Sequence, residues 1–153
     1  MLEPAFEALE PMLESGDPGS SLDYLIVRFR ESKEYHLLFE AKLMKKRLEL
    51  GLPLVQAPNL GALPHNVQAV YQQHLIATAQ ETGELFLESG DIPKAWPYLR
   101  ATGDVQRVAA AIEKVEPGEN LDAIIEIAFM QGVHPAKGLQ LVIEKLGICR
   151  ALT

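Results

Sequence analysis

The chain holds a single cysteine, Cys149, among 153 residues. One thiol cannot close an internal disulfide, which points to a reducing compartment. No stretch of about 18 apolar residues is present, the length a helix needs to span a bilayer, so no membrane partner is expected. The opening, Met1 to Pro4, has no basic segment leading into an apolar run, and no secretory leader is expected. Cytoplasmic is the location these features imply. Paired-cysteine metal motifs, glycine-rich phosphate loops and nucleophile elbows are missing as well. No cofactor or bound metal is therefore expected, and the sequence favours a chain without catalytic activity of its own.

Positive charge is scarce. Fourteen Lys and Arg stand against 21 Asp and Glu, for a net charge of -7. Such a chain repels phosphate backbones, so nucleic acid is not an expected partner. The one local exception is Lys42, Lys45, Lys46 and Arg47. With no aromatic side chains interleaved for base stacking, this run is expected to form a solvated helix edge.

What is present is a core-forming composition, 48% hydrophobic and 23% charged, in a length that suits one domain. The apolar spacing is helical in every long segment, and no segment alternates as a strand does. The expected fold is all-α, a right-handed stack of antiparallel helical hairpins, in one domain. N-terminal helices are expected over about 2–50, an irregular connection over 51–63, and repeat-like helices over 64–147.

Within the first part, Leu2, Phe6, Leu9 and Leu13 form one stripe beside an acidic row, with Pro11 expected to kink or end it. Ser20 and Asp23 suggest a capping box for the next helix. Its buried stripe is expected to be Leu22, Leu25, Ile26 and Phe29. Leu37, Ala41, Met44 and Leu48 continue at helical spacing, either after a new start at Ser32 or in one bent helix from about 21 to 50. Gly51 and Pro53 stop the run. A long helix from Pro64 to about Glu88 carries Val67, Val70, Tyr71, His74 and Thr78 on one face. Asp91, Asp104 and His134 are placed to cap the helices that follow. Gly147 looks like a final helix stop, and the apolar tail at 148–153 reads as the start of another packed element of a longer protein.

Two turn segments align at an offset of 13. Ser89-Gly90-Asp91-Ile92 matches Thr102-Gly103-Asp104-Val105, Lys94 matches Arg107, and Leu99 matches Ile112. Glycine ends one helix in a left-handed conformation, aspartate caps the next, and an aliphatic residue re-enters the core. Around this device, residues 78–102 resemble a tetratricopeptide repeat. Gly83, Phe86, Gly90, Asp91, Ala95 and Leu99 fall on that family's small, aromatic, turn and second-helix positions. The segment departs from the family where its second helix stops at Gly103 and where no closing proline follows. The resemblance implies a hairpin packing mode and a partner-binding role.

His36 and Glu40 stand one helical turn apart and could reach one metal ion or one water. His74, on an apolar helix face, could join them or simply bond a neighbour. Trp96 belongs to an apolar stripe and Pro97 should distort its turn. The leading functional expectation is a helical-repeat interaction module or scaffold for a protein or peptide partner. Arg28, Arg30, Tyr35, Lys42 and Arg100 are its candidate contacts, chosen for reach and hydrogen-bonding capacity. The alternative is the helical domain of an enzyme, with a metal or acid-base site near His36, Glu40 and His74.

Overall fold

The computed structural model describes residues 16–54 and 56–147. The stripe at 2–14, the kink at Pro11, Cys149 and the tail at 148–153 lie outside the described residues. Among the described residues there are seven α-helices and no strand. The chain divides into two compact units, Met1–Thr78 and Ala79–Thr153.

In the first unit, α1 (Pro18–Glu31) and α2 (Tyr35–Glu49) pack against each other. Asp23, early in α1, meets Lys45, late in α2, so the two run antiparallel. The cap of α1 is Asp17, not the Ser20–Asp23 pair. Its carboxylate accepts from the backbone of Gly19 and Ser20 and from the Ser20 hydroxyl at 2.7 Å, and Pro18 occupies the first turn. These bonds hold the Asp17 carboxyl below its usual range, the Ser20 hydroxyl contributing most.

One bent helix over 21–50 is ruled out. Lys33 adopts φ 59° between α1 and α2, and Glu34 N–H closes on the Phe29 carbonyl at 2.9 Å. The buried face of α2 is rotated from the expected one. It carries Tyr35, Leu38, Ala41 and Leu43, while Leu37, Met44 and Leu48 are half-buried. The connection after α2 includes a single 3-10 turn at Leu60–Ala62. Helix α3 (His65–Glu88) contributes residues 65–78 to this unit and 79–88 to the next.

In the second unit, α3 ends at Gly90, φ 77°, and Asp91 caps α4 (Ile92–Thr102) by accepting from Lys94 N–H at 3.1 Å. Gly103, φ 79°, and Asp104 repeat the device ahead of α5 (Val105–Glu113), with Arg107 N–H as the donor. A polar clasp reinforces the second turn. Gln80 on α3 donates to Asp104 at 2.7 Å and accepts from the Thr102 hydroxyl at 2.9 Å. Helix α6 (Leu121–Ile125) runs into a π-helical turn, Glu126–Met130, and α7 (Pro135–Leu146) follows with His134 as its cap. Trp96 is buried as expected, but Pro97 lies on the exposed side of α4 and the helix continues through it.

Neither Gly90 nor Gly103 has any atom within 4 Å of the position a Cβ would take. The whole cost of a side chain there is backbone strain. Gly90→Ala and Gly103→Ala are each expected to destabilise by about 1 kcal/mol. Urea denaturation measures this. A neutral outcome at both sites would show that the turns relax out of the left-handed region.

Candidate functional site

The sequence candidates occupy different surroundings. His36 and Glu40 are exposed on α2. His74 meets that helix further along, its Nε2–H donating to the Lys42 carbonyl at 3.3 Å. Lys42 is six residues past His36, about 9 Å along the axis. Among the described residues, no group of three or more His, Cys, Asp or Glu side chains is placed to hold a metal ion. Glu40 instead acts electrostatically on the Tyr71 phenol, whose burial pushes its pKa up while Arg47 opposes the shift.

The candidate partner contacts also divide. Arg28 and Arg30 are exposed near the end of α1, and Arg28 lies 3.8 Å from Glu31. Arg100 is exposed in the last turn of α4, in the second unit. Tyr35 requires a correction. It is 8% exposed and lies on the buried face of α2, in the first turn after the left-handed Lys33. The expectation of a solvated basic edge fails at Arg47, which is 4% exposed. Its Nη1 donates to the Gln56 carbonyl at 3.3 Å, and its Nε has no hydrogen-bond partner among the described residues.

Among the candidate partner contacts, Lys42 lines a groove. The groove lies within the first unit and has a volume of about 600 Å³. Ile26 and Val27 of α1 give it an aliphatic surface, and Val27 is 54% exposed. Lys42, Lys45 and Lys46 of α2 supply three ammonium groups at helical spacing. Asp23 and Glu49 face them, pairing with Lys45 at 2.5 Å and with Lys46 at 3.2 Å. The Asp23 carboxylate raises the Lys45 pKa, chiefly through this hydrogen bond.

His74, on α3, completes the lining. Burial is the main cause that lowers its pKa. Lys46 and Lys42 add to that shift, and the bond to the Lys42 carbonyl and Glu49 offset it in part. The ring is therefore neutral near pH 7 (its unperturbed value is about 6.5) and contributes a donor, not a charge.

This shift has a stability consequence with a definite sign. Between the folded pKa and about 6.5 the unfolded chain binds more protons at this ring than the folded chain. The stability is fully present above about 6.5 and is lost as pH falls through that window towards the lower folded value. The urea midpoint is expected to be lower near pH 5 than near pH 7. His74→Gln keeps a donor for the Lys42 carbonyl and should flatten part of that dependence. An identical pH dependence in the variant would assign the effect to other groups.

A second, smaller cleft of about 300 Å³ lies in the other unit, between α3 and α5. Its Arg107 is paired with Glu84 and Asp104. Of the groove's residues, the sequence offers Lys42 and His74 as site candidates and Lys45 and Lys46 as members of a basic run. Helical spacing alone places Ile26 in a buried stripe and the lysines on a solvated edge. No helix among the described residues is long and apolar enough to cross a membrane. No protein-family model, characterised protein or solved structure matches the chain.

Proposed function

We propose that this chain is a helical-repeat interaction module without catalytic activity of its own, and that it takes a protein or peptide partner in the lysine groove of the first unit. The observation that carries this reading is the make-up of the groove. It combines exposed aliphatic surface at Val27 with charged groups that can set the orientation of a bound chain. Binding surfaces pair apolar contact with a few placed polar groups in this way.

The packing of α3 on α4 supports a tetratricopeptide-like hairpin. A Cβ on Gly83 would come within 2.4 Å of Leu99 Cγ, so glycine lets these helices approach closely. Phe86 stacks on Tyr98 with ring centroids 5.8 Å apart. The small, aromatic and large positions of the resemblance thus share one helix interface. A stack of such hairpins, each turned by glycine and aspartate, is the architecture this reading assigns.

Selection from a displayed library of random peptides of about twelve residues, some three helical turns, tests the function. The full chain is the bait, and Val27→Glu is the counter-bait. Peptides retained by the native chain and rejected by the variant are the expected result. Binders that ignore the substitution, or no binders at all, sink the proposal.

A further inference from the structure

Resting on that interaction reading, we infer that the groove recognises an acidic segment carrying aliphatic side chains, its carboxylates meeting Lys42, Lys45 and Lys46 while its aliphatic groups cover Val27 and Ile26. The first support is charge. The chain carries -7 overall, yet this groove gathers three ammonium groups against two carboxylates. The lining is thus cationic where the chain as a whole is acidic.

The second support is that the internal pairs can be exchanged. The Lys45 and Asp23 side chains are 39% and 58% exposed, so their bridge is solvated and worth little by itself. Lys46 and Glu49 are likewise partly exposed. An incoming carboxylate can take over either ammonium group without leaving a buried charge unpaired. Complementary charge of this kind fixes register and speeds encounter more than it adds raw affinity.

The third support is the groove's apolar part. Val27 is a large aliphatic residue left half in water on the same wall, and its burial by a partner is favourable at roughly 25 cal/mol per Å². This also separates a peptide from a nucleic acid. A polynucleotide would need stacking surfaces, and the groove lining contains no aromatic residue beyond the neutral, hydrogen-bonded His74.

The test extends the peptide selection. Groove-dependent binders are expected to be net acidic and to contain leucine, isoleucine or valine. A fluorescein-labelled peptide with the enriched sequence should lose affinity about tenfold when its acidic residues are changed to the corresponding amides, or when Lys42 and Lys45 are both changed to Glu. Its affinity should also fall as salt rises. Lys45→Arg keeps the charge and should keep binding, and circular dichroism confirms that each variant is folded. Groove-dependent binders that are neutral or basic overturn this inference and leave the interaction reading standing. A labelled deoxythymidine oligonucleotide that binds the native chain, loses binding in the double Glu variant and competes with the peptide overturns the acidic-peptide assignment. No groove-dependent peptide of any charge overturns both.

Discussion

Replacing Trp96 with alanine is expected to cost about 3–5 kcal/mol, a large share of the stability of a domain this size. The indole is 8% exposed and lies among the buried residues of α4. Its Nε1–H donates to Gln131 Oε1 at 2.8 Å, joining α4 to the end of the π-helical turn. Gln131 is exposed, so loss of this bond leaves its amide to water and adds little. The cost comes from the cavity and the lost apolar burial. Trp96→Phe, which keeps most of the ring, should recover much of it. Urea denaturation of both variants separates packing from the hydrogen bond. A cost below about 1 kcal/mol for alanine would place the indole in solvent.

Gly138→Ala is the other large effect, and it runs against helix propensity. In an ordinary helix interior the change would stabilise by about 1 kcal/mol. Here the new Cβ would sit 2.8 Å from the backbone nitrogen of Phe129 and 2.8 Å from its Cβ. A backbone atom cannot rotate aside as a side-chain tip can, so α7 must move away from the π-helical turn. Overpacking of this kind costs about 1–3 kcal/mol, occasionally more, and the net loss is expected to reach about 2 kcal/mol. Thermal or chemical denaturation checks it. A stabilised variant would mean that α7 and the turn separate freely. The contrast with Gly90 is instructive, because there space is ample and only the backbone angle objects.

The sequence displays those features that are set within a few residues. Gly90-Asp91 and Gly103-Asp104 were readable because a left-handed stop and an aspartate cap are local devices with a compositional signature. Asp17 was readable in principle, since aspartate directly before a proline is a helix-start signal, but the Ser20–Asp23 pair competed with it. Lys33 carries no such sign. Its left-handed angle lies in the turn between α1 and α2, directly ahead of the buried Tyr35. The π-helical turn and the place of Gly138 against it depend on contacts between helices, which spacing along one helix cannot express.

The groove follows the same logic. Lys42, Lys45 and Lys46 share a face by spacing alone, and that much was legible. Whether such a face is bathed in water or forms one wall of a groove depends on α1 and α3, which bring Ile26, Val27 and His74 to it. Arg47, one residue further, shows how abruptly the environment changes around a helix. An arginine in the same basic run is buried, with its Nη1 bonded to the Gln56 carbonyl in the connection after α2.

In the second unit, the Trp96–Gln131 bond joins residues 35 apart, whereas the helix pairings around it are mostly between neighbours in the chain. Contacts between chain neighbours close with little loss of entropy and form early. A tie of this span is expected to close after the local turns between α4 and the π-helical turn. Its role is then that of a latch in time. The packing of the indole that accompanies it is expected to slow unfolding more than it speeds folding, so Trp96→Ala should act mainly on the unfolding rate.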